Sequence, residues 1–218
     1  MTWPVVFGVA TLISFNFIDT LFISFLGTQE LAAVGFTFPV SFTVISLTIG
    51  LGIGTSAVVA RRLGSADAEG ARQVGSSAIY LAALLVGCLA LILFFLTDPI
   101  FKMLGATPEL MLHIKDYMYI WYAGAILLVV PMVGNSVLRA SGDTKTPSII
   151  MGLGGLSNAI LDPLLIFGIG PFPALGLQGA ALASVISWAL GFVLIIYWLV
   201  CTRRVIDGRP PALHLFVS

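Results

Sequence analysis

Two carboxylates in this chain sit where carboxylates are rare. Eight of the ten acidic residues, Glu30, Asp67, Glu69, Asp98, Glu109, Asp116, Asp143 and Asp207, fall in connections or at helix ends, where water solvates them. Asp19 and Asp162 instead lie inside the apolar runs NFIDTLFISFL and NAILDPLLIF. An ionised side chain at that depth in a lipid-spanning helix costs about 2.5–3.5 kcal/mol on insertion scales, so such residues face a bundle interior or a wet cavity. Proton or cation binding is the chemistry they suggest. Asn16 precedes Asp19 by three residues and Thr20 follows Asn16 by four, which places an amide, a carboxylate and a hydroxyl on one helical face. Asn158 precedes Asp162 by four and shares its face, while Pro163 removes a backbone donor and leaves the Ala159 carbonyl without its usual partner. Two carboxylates, two amides and a freed carbonyl make a donor set for H⁺ or a dehydrated Na⁺ at Asp19, Asn158 and Asp162. The structural alternative is that both acids only bond across helices and lock the bundle.

Other motifs carry less. The segment DYMYIWY offers Tyr117, Tyr119, Trp121 and Tyr122 as a hydroxyl or an aromatic wall for the acids, or as an interfacial aromatic belt. GLGIGT, from Gly50 to Thr55, lacks the strand and lysine of a phosphate loop and reads as close helix packing through Gly50 and Gly54. Pro39 and Pro131 interrupt apolar runs at expected kinks. His113 and His214 have no partners at metal-ligand spacing. Cys88 and Cys201 lack disulfide or metal spacing and are expected to be small buried residues.

These residues need helices in a membrane to hold them. The 218 residues are 59% hydrophobic and 9% charged, with mean hydropathy +1.08, a composition that excludes an ordinary soluble domain. The net charge of zero gives no basic face for nucleic acid. Six apolar runs match the roughly 30 Å hydrocarbon core; they cover approximately residues 4–26, 31–60, 74–96, 117–138, 147–169 and 177–200. The expected fold is all-α, a polytopic membrane protein of six transmembrane helices. The start, MTWPVV, lacks the positive charge of a cleavable signal peptide, so the first run is expected to stay as a helix.

All ten basic residues lie outside these runs, and eight of them, Arg61, Arg62, Arg72, Arg139, Lys145, Arg203, Arg204 and Arg209, follow even-numbered spans. The positive-inside rule then puts both termini in the cytoplasm. Sliding the sequence by 143 positions sets Asp19 on Asp162, Gly27 on Gly170 and Arg61 on Arg204. This weak repeat places the two acids at similar depth, about 10–12 Å from the outer loop at 1.5 Å per residue.

Four segments in order, IDTLFISFLGTQELAAVGF, ARRLGSAD, LRASGDTKTP and SNAILDPLLIFGIG, resemble the multidrug and toxic compound extrusion (MATE) transporters, most closely their DinF-like branch. The resemblance runs from Pro4 to about Val200. It implies one lobe of a two-lobe transporter in the inner membrane that exports small organic, often cationic, compounds in exchange for H⁺ or Na⁺, with no other cofactor and no enzymatic activity. It further implies that Asp19 and Asp162 are coupling carboxylates, that Asn158 shares their network, that Pro4 marks a bend in the first helix and that Tyr117 stands near the site. Residues 1–202 are then the lobe and 203–218 a cytoplasmic tail or inter-lobe linker. A second lobe, or a second copy of the chain, is expected as partner. Flipping of a lipid or lipid-linked precursor is a competing expectation, disfavoured because no basic residue falls within the six runs. A non-transporting half-length fragment is another.

Overall fold

Lipid supplies no hydrogen-bond partners, so a backbone that crosses it must satisfy itself as helix. The computed structural model describes residues 17–202, and the described residues form helices and no strands. They are α1 (17–24), α2 (Thr28–Gly64), α3 (Ala68–Phe95), α4 (Thr97–Met103), α5 (Pro108–Ala140), α6 (Lys145–Phe167) and α7 (Leu177–Tyr197), which runs into a π-helical turn, Trp198–Thr202. Five of these, α2, α3, α5, α6 and α7, are long and apolar enough to cross a membrane. The first predicted span is described only over α1, so Pro4 and Asn16 lie outside the described residues.

Two helices start earlier than hydropathy indicates. α3 begins at Ala68 rather than 74 and α5 at Pro108 rather than 117, so Arg72 and Lys115 are helical residues and not loop charges; Arg139 is helical because α5 runs on to Ala140. The short α4 is an additional element. Its sequence, TDPIFKM, reads as a polar connection, but Asp98 in the first turn and Lys102 in the last suit the helix dipole. Lys115 Nζ on α5 holds Asp98 at 2.8 Å and keeps its carboxyl below the usual carboxylate range.

The connections are closed by one recurring device. Ala66 (φ 61°), Gly105 (φ 91°) and Gly142 (φ 88°) adopt left-handed backbone just past α2, α4 and α5. The residue after each donates its N–H five residues back, Asp67 to Arg62 O (2.9 Å), Ala106 to Phe101 O (2.9 Å) and Asp143 to Leu138 O (3.0 Å), as in a Schellman cap. Asp67 then caps α3, accepting from Gly70 N at 2.9 Å and from Arg62 Nη1 at 2.7 Å. The Gly70 amide first, and Arg62 second, lower its carboxyl pKa. A depressed folded pKa means that this stabilisation is complete above the ordinary carboxylate range and drains away as pH falls through the folded value. The Asp67→Ala protein is therefore expected to unfold at a lower temperature than the native one at pH 7, with the gap closing in strong acid. A gap that does not depend on pH in thermal unfolding would contradict the ionic cap.

α5 is the central post. α2, α3 and α7 pack around it, and α6 packs chiefly on α7. Small residues set the spacing, as expected where association in lipid depends on close contact. A Cβ on Gly124 would meet Val185, one on Gly134 would meet Ile195, and one on Gly52 would lie 2.7 Å from Ser136 Oγ. The close-packing glycine of GLGIGT is thus Gly52; Gly50 and Gly54, expected in that role, have nothing within 4 Å. Cys88 and Cys201 are likewise on the outer surface rather than buried. Tyr117, Trp121 and Tyr122 are core residues, 8%, 4% and 5% exposed, and do not form a lipid-facing belt. Trp121 packs edge-on against Trp188 of α7 with ring centroids 5.8 Å apart. α2, α5 and α6 each continue through their prolines, Pro39, Pro131 and Pro163.

Candidate functional site

The site is assembled where α1 meets α6 and α7. Phe22 of α1 packs edge-on against Phe167 of α6 at 6.2 Å, and Ile23 is fully buried. This apolar clasp brings Asp19, three residues before Phe22, against Asp162, five residues before Phe167. The two carboxyl groups adjoin within hydrogen-bonding reach.

Asp162 is fully buried. Its Oδ1 accepts from Asn158 Nδ2 at 3.2 Å, and the same Nδ2 lies 3.4 Å from Ser184 Oγ on α7. Asp162 Oδ2 and Asp19 Oδ1 are both buried without a donor among the described residues. Neither ion pair among the described residues involves either acid. Two adjoining carboxyl groups with no basic partner among the described residues are a donor set suited to a proton or a cation, because each ionised oxygen is only an acceptor. Tyr117, buried on α5, lies within electrostatic range of both acids.

The structure thus brings together Asp19, Asn158, Asp162 and Tyr117. Of the other DYMYIWY aromatics, Trp121 pairs with Tyr122 and Trp188, and Tyr122 turns its ring toward Thr97. Ser184 was not foreseen, because a lone serine in an apolar helix gives no spacing signal. Asn135 was also missed, although an amide inside an apolar run is a legible signal. It is 5% exposed, and its Oδ1 has no partner among the described residues.

Long apolar helices bundled around a buried acid pair define a polytopic membrane protein. The MatE family profile matches residues 4–164, and the chain belongs to the MATE family. It is 44% identical over 95% of its length to the FAD transporter of Shewanella oneidensis, covering 46% of that protein. It is 33% identical over 80% of its length to a probable multidrug resistance protein, YoeA, of Bacillus subtilis, covering 38% of it. The Vibrio cholerae MATE transporter VcmN, in mutant form, superposes on all of the chain with a TM-score of 0.92 at 34% identity, and the chain covers 48% of it. The chain therefore spans about half the length of the relatives it matches.

Proposed function

We propose that this lobe is the coupling half of a secondary exporter, in which Asp19, Asn158 and Asp162 exchange H⁺ or Na⁺ against an organic solute. The observation that carries this reading is the adjoining acid pair with two buried, donorless oxygens, Asp19 Oδ1 and Asp162 Oδ2. These oxygens fit a proton or an alkali ion, with Asn158 holding one carboxylate in place. Loading the cation changes the charge between α1 and α6, and so favours a different packing of α1. A coupling ion shifts that equilibrium only by its different affinity for the two arrangements. Arg61, Arg62, Arg72, Arg139 and Lys145 share one end of the bundle, which supports a cytoplasmic position for that end and for both termini in a cell inner membrane. A second lobe, from further chain or from a second copy, completes the solute cavity.

For the solute, the family's multidrug members favour an organic cation. The 44% identity to a transporter of FAD favours a flavin dinucleotide as the second reading. The test is uptake into vesicles holding the complete transporter, driven by an imposed pH or Na⁺ gradient, for native protein and for Asp19→Asn and Asp162→Asn. Undiminished gradient-driven uptake by both variants would overturn the proposal. A graded companion is Asn158→Ala, expected to raise the cation concentration for half-maximal transport about two- to tenfold, the worth of one hydrogen bond. Ser184→Ala, at the longer 3.4 Å contact, has the smaller effect. The reverse order in a cation titration would show that α7, not α6, holds the site.

A further inference from the structure

The end of the bundle opposite the basic rim holds a cavity of about 350 Å³, space for on the order of ten water molecules. Its walls come from Leu26 just past α1, Glu30 in the first turn of α2, His113 and Asp116 of α5, and residues 174–178 leading into α7. Two carboxylates and an imidazole line it, and no lysine or arginine does. Lys115, next to Asp116 in sequence, is turned to Asp98 at 2.8 Å. Gln178 Nε2 donates to Asp116 Oδ1 at 2.9 Å, which holds that carboxylate between α5 and α7. The Glu30 carboxyl lies over Gly27, where α2 begins.

The cavity stands over the acid pair, because the elements that wall it lead to the site within one or two turns. On α5, His113 precedes Tyr117 by four residues and shares its face, and Tyr117 lies within electrostatic range of both acids. On α1, Asp19 and Ile23 share a face and Leu26 follows three residues on, a path of about 10 Å at 1.5 Å per residue. Leu175 N and Gly176 N donate to Leu165 O and Ile166 O at 3.0 and 3.1 Å, on the turn of α6 that follows Asp162. One apolar tier separates cavity from acids: Ile23, Ile166 and Leu177, which are 0%, 1% and 5% exposed. The opposite direction is far thicker. Inward from Tyr117, Trp121 closes edge-on against Trp188, and Ala125, Val129 and Val133 of α5 are fully buried beyond it.

We infer that this cavity is the outer port of the acid pair, through which hydronium or hydrated Na⁺ enters from the water on that side. Glu30 and Asp116, uncompensated by any cationic side chain in the walls, concentrate cations at the mouth. His113 can take up and pass on a proton, and the His113–Tyr117 face points the way to Asp19 and Asp162. Parting of the tier at Ile23 and Leu177 completes the passage, while the tryptophan pair keeps the inner side closed. The inference rests on the coupling reading of the acid pair. It differs from that reading in what it controls: the port sets the rate of cation entry, and the acids set the equilibrium.

The test uses the complete transporter carrying Cys88→Ser, Cys201→Ser and Ala174→Cys, in solute-loaded vesicles with the cavity facing the bath. A pH drop in one series, or added Na⁺ in another, starts solute efflux at cation levels low enough for entry to limit the rate. Efflux is compared before and after a bulky neutral maleimide is coupled at position 174. The plug is expected to slow efflux about tenfold, with solute affinity, its equilibrium dependence on the cation and the unfolding temperature as in the uncoupled protein. Glu30→Gln with Asp116→Asn, which adds no bulk, is expected to slow efflux about two- to fivefold at low ionic strength, an effect that fades in high salt. An efflux rate indifferent to the plug and to both charges overturns the port. So does a plugged protein that loses its equilibrium response to the cation, since the cavity is then part of the binding site. Asp162→Asn tells this apart from failure of the coupling reading: if uncoupled protein and Asp162→Asn show the same cation-independent efflux, the acids do not couple and the port falls with them.

Discussion

Asp162→Asn in the complete transporter gives a folded protein that still binds solute but no longer draws on a cation gradient to move it. Asp162 is fully buried, one of its oxygens is held by Asn158 and the other has no donor among the described residues. Neither described ion pair touches it, so the negative charge is offset only by what the acid pair itself binds. An amide of the same shape needs no such offset, and the thermal unfolding temperature is expected to hold or rise. What disappears is linkage. For a coupling free energy of about 1–3 kcal/mol, cation binding changes solute affinity about 5- to 150-fold; in Asp162→Asn that dependence is expected to vanish. Asp19→Asn acts in the same direction, because the two carboxyl groups adjoin and share the bound charge. Solute affinity that still responds to the cation in Asp162→Asn, as it does in native protein, would place the coupling elsewhere.

The second large effect concerns the scaffold behind the acids. Gly179, in the first turn of α7, has the space for its missing Cβ filled by the backbone of α6: the Leu165 carbonyl oxygen, with Leu165 C at 2.6 Å and Ile166 N at 2.9 Å. The loop before it is tied to the same turn, Leu175 N to Leu165 O at 3.0 Å and Gly176 N to Ile166 O at 3.1 Å. Backbone cannot swing aside as a side chain does. Gly179→Ala must therefore separate α7 from α6 at a point one turn from Asp162 and just over one turn from Ser184. The expected cost is at or above the upper end of the usual overpacking range, about 1–3 kcal/mol, and transport falls with it. Gly50→Ala and Gly54→Ala meet nothing within 4 Å in this lobe and are the controls. Any destabilisation by those two arises from contacts outside the lobe. A Gly179→Ala protein that unfolds at the native temperature would show that the α6–α7 contact yields more easily than the geometry implies.

The two acids were legible because charge contrasts with lipid-facing sequence wherever it occurs. Asn158 was legible because it follows helical spacing from one of them. The five long helices could be read from hydropathy for the same reason. What hydropathy does not encode in a membrane is which face of a helix points inward, since lipid and protein interior are both apolar and the amphipathic stripe of a soluble helix is lost. That is why Gly52 packs where Gly50 and Gly54 were expected, and why Cys88 faces outward. It is also why Tyr117, Trp121 and Tyr122 form core rather than belt.

The central claim is that Asp19 and Asp162 together hold the coupling cation. The most direct measurement is calorimetric titration of solute into the purified complete transporter, repeated in buffers of different ionisation enthalpy and at different Na⁺ concentrations. The account predicts that solute binding to the native protein releases a proton or a sodium ion, seen as a buffer-dependent heat or a Na⁺-dependent affinity. The Asp19→Asn, Asp162→Asn double variant is predicted to bind solute with neither. A double variant that releases the cation as the native protein does would contradict the account.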